Sequence, residues 1–511
     1  MACELRVGIA PQVLRYRSQS PKFMPDQSFD LIVLGGGPAG ASGATAAGFV
    51  GKRAALVERT GLLGGAGINT GTIPSKTLRE TALVLSGWRS RQLHGVDLSL
   101  QRETTVGDFM RHEKNVAAGE RGRMQALLDL RGVTRFRGAG SFVDPHTIRV
   151  IGEDGSETLL HGEKILIATG SSPLRPPEFS FADPRIHDSD EILELTAMPK
   201  KLVVIGGGVI GSEYAGTFAA LGVETHLVDG RDTLMPFLDA EISIALAAAM
   251  AANGVQFHWK QRVTACDASQ SGPVVLTLSS GETLSCDGVL VCAGRQSNTA
   301  NLNLAAAGIT PGSRGLVPVN SHYQSDVPHI YAAGDVVGPP ALASTGIEQA
   351  RVAVGHAFAS TFKKELATLL PTGIYTIPEA SMVGETEASL REKGVEFIAG
   401  RARYADNPRG EIIGDQVGFL KLLFRREDMR LLGVHVIGEQ ATEVVHVGLI
   451  ALLAGADADL FNRACFNYPT LGDLYKYATY DALAQRDAMP NVRRVDVGNP
   501  ADSPSQPPAS S

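Results

Sequence analysis

Asp30 to Glu58 reads DLIVLGGGPAGASGATAAGFVGKRAALVE, and Lys201 to Asp229 reads KLVVIGGGVIGSEYAGTFAALGVETHLVD. Each is a short apolar run, a glycine turn, a stretch of small residues at helical spacing, a second apolar run and a terminal acid. The acid Glu58 falls 23 positions after Gly35, and Asp229 falls 23 positions after Gly206. This internal repeat predicts two strand–turn–helix–strand units of one geometry, the building block of a parallel sheet covered by helices.

Glycine-rich turns are common, but here the context is complete on both sides. Gly35, Gly37 and Gly40 follow a buried strand and open a helix, as do Gly206, Gly208 and Gly211. The first glycine of each set permits the tight turn, the second lets backbone approach a pyrophosphate, and the third lets helix and strand pack closely. The helix N-terminus then offers unpaired N–H groups and the positive end of its dipole to phosphates. Glu58 is placed to accept hydrogen bonds from an adenosine ribose. Asp229 favours a free ribose 2′-hydroxyl, whereas Arg231 is suited to a 2′-phosphate, so the two point in opposite directions. Two dinucleotide sites in one chain imply electron traffic between two cofactors.

The rest of the chain bounds the class. At 511 residues it exceeds one hydrophobic core. Hydrophobic residues make up 44% and charged residues 20%, the balance of a globular protein rather than a disordered one. A net charge of −7 gives no electrostatic reason to expect nucleic acid or an anionic membrane. No apolar run reaches the ~18 residues that a bilayer crossing requires, and the first residues lack a secretory pattern. The five cysteines form no C-x-x-C pair, and their odd number argues against a disulfide framework, so a reducing cytoplasm is the expected setting. Cys286 and Cys292 lie on one strand-like run and read as buried small hydrophobes. No cluster of His, Cys, Asp or Glu has metal-ligand spacing.

Between the repeats, a helical segment from about Thr72 to Arg131 is followed by the β-like runs TRFRGAGSFV and HTIRVIG. From about Pro371 the pattern changes to alternating strands, GFLKLLFRR and RLLGVHVIG, and then to helices from Thr442 onward. The Pro/Ser-rich end, NPADSPSQPPASS, has little to bury and is expected to be disordered.

The ordered motifs GGGPAG, GTIPSK, GAGSF, IATGS, GGGVIGSE, CAGRQSNT, YAAGDV and YPTLGD carry a resemblance over nearly the whole chain. The sequence resembles the pyridine nucleotide-disulfide oxidoreductase family. The resemblance implies an α/β fold with two Rossmann-like domains, FAD in the first and NAD(P) in the second, plus a C-terminal α+β module that forms a homodimer. The implied layout is an N-terminal extension 1–26, FAD-binding residues 27–172 and 300–370, an NAD(P) domain 173–299, a dimerisation domain 371–489 and a tail 490–511. By the same resemblance, Gly140, Thr169 and Gly170 match FAD-contacting turns. Gly294 lies in the matching CAGR motif and Gly334 in AAGDV. Asp335 matches the aspartate that holds the ribityl chain, and Ala343 lies near the flavin pyrimidine end. Lys76 and Glu213 match an ion pair beside flavin N5, where a nicotinamide stacks.

The departures decide the expected function. In LLGGAGINTGTIPSKTL, Leu62 to Leu78, Gly67 and Thr72 stand where the family carries its two redox cysteines. Tyr468 stands at the position of the histidine base and Asp473 at that of its glutamate. Every part that serves sulfur is absent, while the parts that serve flavin and nicotinamide remain. Within the family the GTIPSK, YTIPEASMVG and FNYPT motifs are most similar to the soluble pyridine nucleotide transhydrogenases, although Gly67 departs even from those. The expected activity is FAD-dependent hydride transfer between NAD(P)H and NAD(P)+. An NAD(P)H dehydrogenase that passes electrons to a quinone, or a non-catalytic nucleotide-binding protein, are the alternatives. His446, on an apolar helix, is expected to be a core or interface residue, and Tyr468 to fill the space of the missing histidine.

Overall fold

The computed structural model describes residues 27–87, 106–269, 272–361 and 363–487. The N-terminal extension, Cys3 and the Pro/Ser-rich tail lie outside the described residues. The chain divides into two compact units, one built from 1–65, 121–170 and 297–365, the other from 66–120, 171–296 and 366–511.

In the first unit the strand Gln27–Leu34 is central, paired in parallel with Ala54–Glu58 on one side and Glu157–Ile167 on the other. Thr134–Arg137 extends the first side, while Ile330–Ala332, Thr147–Ile151 and Ala139–Asp144 complete a seven-stranded sheet. The central strand is apolar on both faces because helices and a second apolar layer cover it: Ile32, Val33 and Leu34 are fully buried. The helix Pro38–Phe49 is composed of Gly, Ala, Ser and Thr over most of its length, and its Ala44 and Ala47 are fully buried, so small side chains let it lie close to the sheet.

The second unit repeats this plan and adds to it. Its parallel sheet runs in the order Val255–Trp259, Glu224–Asp229, Lys201–Ile205, Gly288–Val291 and Ile186–Asp188. A three-stranded antiparallel sheet inserts between its strands. The sequence read Cys286 and Cys292 as one strand. Instead Cys286 ends a strand of the antiparallel sheet and Cys292 follows the parallel strand Gly288–Val291. The break falls at Asp287, whose carboxylate accepts the backbone N–H groups of Lys200 and Lys201. Among the described residues, the helical segment expected between the repeats contains the helices Thr72–Leu85 and Val106–Leu130.

The C-terminal strands form a five-stranded antiparallel sheet, with Phe419–Arg425 paired to Leu431–Gly438 and with the helices Ala441–Leu453 and Leu474–Asp487 packed on it. Within this unit the helix Ala240–Ala252 is tied to that sheet by a buried charge cluster. Lys421 Nζ lies 2.8 Å from Asp239, 3.0 Å from Glu241 and 2.7 Å from Glu387. Arg401 adds a two-pronged pair to Glu241. Beside it the buried His435 donates from Nε2 to the Glu385 carbonyl at 2.9 Å, and its Nδ1 has no partner among the described residues.

Burial pushes the His435 imidazole down from 6.5 to about 4. A folded value below the unfolded one means that the unfolded chain takes the proton first as pH falls. His435 therefore removes stability between about pH 6.5 and 4, on the order of 3 kcal/mol across that window. His435→Gln retains a donor and does not titrate, so its denaturant midpoint is expected to fall less between pH 7 and 5 than that of the wild type; equal slopes would contradict this.

Candidate functional site

The two glycine turns share one backbone. Gly35 and Gly206 have φ of +105° and +104°, a region open to glycine. A Cβ on Gly35 would lie 2.3 Å from the Ala168 carbonyl oxygen, and one on Gly206 would lie 2.5 Å from that of Cys292. Gly40 and Gly211 are each so close to the first glycine of their turn that a Cβ would sit 1.9 Å from its carbonyl oxygen. The middle glycines differ: over Gly208 a Cβ meets nothing within 4 Å, and over Gly37 it meets only Gly65 at 3.7 Å. Two glycines of each set are thus demanded by protein packing, while the middle one faces open space.

The helices that follow, Pro38–Phe49 and Val209–Ala220, begin without a side-chain cap. Their first N–H groups are available to an anion. In the first unit the buried hydroxyl of Thr169, beside Gly35, has no hydrogen-bond partner among the described residues. In the first unit this hydroxyl and the uncapped helix beyond the open Gly37 form a donor set that fits a dinucleotide pyrophosphate, and in the second the uncapped helix beyond the open Gly208 offers the same N–H groups.

The acids behave alike, in a way the sequence did not show. Glu58 Oε2 accepts the Gly36 N–H at 2.7 Å, and Asp229 Oδ2 accepts the Gly207 N–H at 2.6 Å, so each acid braces its own turn. The other oxygen of Glu58 accepts from Thr60 N and Oγ1. Asp229 instead meets Arg231, whose Nε, Nη2 and backbone N–H all donate to it. Burial raises the Asp229 carboxyl, but the Arg231 hydrogen bonds outweigh this and hold it below the usual range.

Elsewhere in the first unit, Asn298 donates to the Thr169 and Gly170 carbonyls and fixes that turn. Gly334 donates to Gln349 Oε1 at 2.8 Å, Asp335 opens a short helical turn, and Ala343 begins the helix Ala343–Ala357. Gly140 was expected in a turn; it lies within the strand Ala139–Asp144. A Cβ there would crowd Leu34 and Val57, so the missing side chain serves sheet packing. In the second unit Gly294 has φ +107° and accepts the Leu174 N–H at its carbonyl.

Also in the second unit, Lys76 projects from the helix Thr72–Leu85 to Glu213 Oε2 at 2.6 Å. The other Glu213 oxygen accepts the Tyr375 N–H at 2.9 Å, and the Lys76 ammonium lies 4.9 Å from the Tyr375 ring centroid. Sequence reasoning found the ion pair and missed Tyr375. One turn along, the buried Arg79 pairs with Glu379 at 3.1 Å and donates to the Thr376 carbonyl. The signal for both was the run YTIPE, which supplies Tyr375, Thr376 and Glu379 together.

Among the described residues the cysteines are unpaired. Burial pushes the Cys286 and Cys292 thiols up to about 12, which keeps them protonated and unreactive at neutral pH. Thr72 is the first residue of the helix that carries Lys76. Tyr468 is largely exposed, and so is His446, which therefore is not a core residue. No group of described residues has the arrangement of a metal site, and none of the described helices is long and apolar enough to cross a membrane.

Known proteins agree with this architecture. The chain is 42% identical over 469 residues to a soluble pyridine nucleotide transhydrogenase of Mycobacterium tuberculosis, covering 92% of this chain and all of the relative. It is 39% identical to the protein of that name from Hahella chejuensis, covering 90% and 99%. Among solved structures it superimposes on LpdA from Mycobacterium tuberculosis with a TM-score of 0.82 at 26% identity, covering 89% and 99%. The HOCl-induced flavoprotein disulfide reductase RclA from Escherichia coli gives 0.78 at 26% identity, covering 87% and 99%. Residues 29–357 match the pyridine nucleotide-disulphide oxidoreductase pattern and residues 370–479 match the dimerisation domain of the same group, so the chain belongs to the pyridine nucleotide-disulphide oxidoreductase family.

Proposed function

We propose that this chain is an FAD-dependent oxidoreductase that transfers hydride between NAD(P)H and NAD(P)+ without a redox-active disulfide. The carrying observation is a pair of dinucleotide turns of one geometry in a chain whose described cysteines are unpaired. FAD, when bound, supplies a two-electron carrier that can exchange hydride with a nicotinamide.

The chain's own residues do the rest. Glu58, Thr169, Gly170, Gly334, Asp335 and Ala343 are assigned to holding FAD, with Gly140 supporting the sheet beneath. Gly206, Gly208, Gly211, Asp229 and Gly294 are assigned to the nicotinamide nucleotide. Lys76 provides a fixed positive charge for the negative charge that a reduced carrier acquires. Glu213, braced by the Tyr375 N–H, holds that ammonium in position and acts as a positioning residue. The exposed Val447, Ile450 and Leu453, three residues apart on one helix face, together with the matched dimerisation domain, support a homodimer. Unpaired thiols suit the reducing cytoplasm, where we place the protein.

The test is anaerobic. Holoenzyme reduced with one equivalent of NADPH is mixed with a nicotinamide-analogue acceptor, and the flavin absorbance is expected to return within the turnover time. A reduced flavin that persists with this acceptor but is reoxidised by a quinone would replace the reading with a quinone-linked dehydrogenase. Lys76→Met is expected to slow flavin reduction about 100-fold, the scale of removing one electrostatic stabiliser.

A further inference from the structure

Both members of the Lys76–Glu213 pair meet one residue. Lys76 Nζ lies 2.6 Å from Glu213 Oε2, and the other Glu213 oxygen accepts the Tyr375 N–H at 2.9 Å. The Tyr375 ring stands on the opposite partner, its centroid 4.9 Å from the Lys76 ammonium. One residue thus holds the acid through its backbone and the cation through its side chain. Glu213 is 8% exposed and fixed in place, whereas Lys76 is 25% exposed, and its remaining polar contact among the described residues, Ser75 Oγ, is long at 3.4 Å. An ion pair sets a distance but not a direction, because an ammonium on a flexible four-carbon stem can turn about its carboxylate and keep the bond. The aromatic face closes one side of that arc and attracts the charge.

The ring is itself tethered. Tyr375 follows the strand Thr372–Ile374, and its hydroxyl hydrogen-bonds the Thr442 side chain. Gly373 leaves room for this, since a Cβ there would lie 3.1 Å from Thr442 Cγ2 and 3.6 Å from Tyr375 Cε2. Thr442 spends its own proton on Glu379 Oε2 at 2.8 Å, so its oxygen remains as acceptor for the phenol. Burial raises the Tyr375 phenol above its ordinary range, which keeps it a donor at neutral pH. Glu379 Oε2 also takes the Thr442 N–H at 3.1 Å, at the start of the helix Ala441–Leu453, where Gln440 supplies no side-chain cap. The other Glu379 oxygen pairs with Arg79, one turn beyond Lys76 on the same helix. A closed circuit therefore runs from Lys76 through Tyr375, Thr442 and Glu379 back to the helix that carries Lys76. Tyr375 and Thr442 both belong to the segment that matches the dimerisation domain.

We infer that Tyr375 is a positioning residue for hydride transfer, its ring holding the Lys76 ammonium in the one direction that Glu213 leaves undefined, with Thr442 as the anchor of that ring. The dimerisation domain of the chain thereby contributes to the redox site as well as to assembly. Without the ring, the ammonium turns toward solvent on its open side while it keeps Glu213. A charge that has moved away stabilises the negative charge of the reduced carrier less. The inference rests on the proposed function in assigning Lys76 to the flavin.

The test is the midpoint potential of the flavin in the FAD-loaded enzyme, titrated anaerobically against a dye of known potential, so no nucleotide enters the readout. Tyr375→Leu is expected to shift the ratio of reduced to oxidised flavin about fivefold toward oxidised, ~20 mV for a two-electron couple and the scale of one partly desolvated cation–π contact. Tyr375→Phe keeps the ring and loses only the tether, and is expected to restore the ratio to within about twofold of the wild type. Thr442→Val should match Tyr375→Phe and add nothing to it when the two are combined, because the shared hydrogen bond is already gone. Flavin content and far-ultraviolet circular dichroism report that the variants fold. A wild-type potential in Tyr375→Leu, with a lowered one in Lys76→Met, overturns the inference and leaves the assignment of Lys76 standing. Equal losses in Tyr375→Leu and Tyr375→Phe overturn it too, since the ring then holds nothing. Additive losses in the combined variant remove Thr442 from the role. An unchanged potential in Lys76→Met defeats the inference and the assignment of Lys76 together. A ring-dependent potential in an enzyme that fails the acceptor assay would uphold the positioning role and defeat the hydride-exchange reading.

Discussion

Gly40→Ala is expected to yield a protein that purifies without flavin. The added Cβ would lie 1.9 Å from the Gly35 carbonyl oxygen, a backbone atom with no room to retreat because Gly35 is itself pressed on Ala168. The helix must lift from its turn, which moves the N–H groups assigned to the pyrophosphate. A cost of about 3 kcal/mol corresponds to a loss of affinity on the order of a hundredfold. The ratio of flavin to protein absorbance after gel filtration measures it. Gly211→Ala makes the same collision, 1.9 Å from the Gly206 carbonyl oxygen, in the second repeat. That variant should stay yellow and lose nicotinamide nucleotide binding. Gly119→Ala, on a helix position where a Cβ meets nothing, is the control and should retain both. Wild-type flavin content in Gly40→Ala would refute the assignment of the first turn.

Lys421→Ala carries the largest expected cost in stability. The ammonium is almost wholly buried, and its removal leaves Asp239, Glu241 and Glu387 facing one another, with Arg401 still on Glu241 and Arg391 on Glu387 but no cation on Asp239 among the described residues. Breaking a buried pair on one side typically costs about 3–5 kcal/mol, because an uncompensated charge remains in a poorly hydrated place. Urea denaturation at neutral pH should show that loss as a lower midpoint. Burial raises the Asp239 carboxyl, and the Lys421 hydrogen bond and charge, His435 and the Glu387 N–H together more than reverse this, leaving it below its ordinary value. Its contribution is therefore present above the unfolded value of 3.8 and drains as pH falls through the folded one. Lys421→Met combined with Asp239→Asn should recover part of the loss, since removing both charges is far cheaper than removing one. A midpoint unchanged in Lys421→Ala would show that water reaches the cluster.

The cluster also bears on the second repeat. Asp239 caps the helix Ala240–Ala252, accepting the Glu241 N–H at 3.1 Å, and the segment leading into it starts at Asp229, the acid we assign to the nucleotide ribose. The segment 229–239 is thus anchored at both ends by a buried aspartate, one braced on a glycine turn and the other on Lys421.

The sequence by itself determined the two dinucleotide turns and the absence of the sulfur relay. Gly35, Gly40, Gly206 and Gly211 are local steric requirements: each clash lies within the turn or with the strand beside it, so composition and spacing carry the geometry. The loss of cysteines at Gly67 and Thr72 is likewise a matter of side-chain chemistry and needs no coordinates. Only the tertiary structure decided which distant groups hold those parts in place. Tyr375 bracing Glu213, Arg79 against Glu379, Lys421 among three carboxylates and Arg262 across Gly230 join residues far apart in the chain. The strand placement of Gly140 and the separation of Cys286 from Cys292 are of the same kind. No periodicity encodes such pairings, because a charge or a glycine acquires its partner only when the sheets have brought separate segments together.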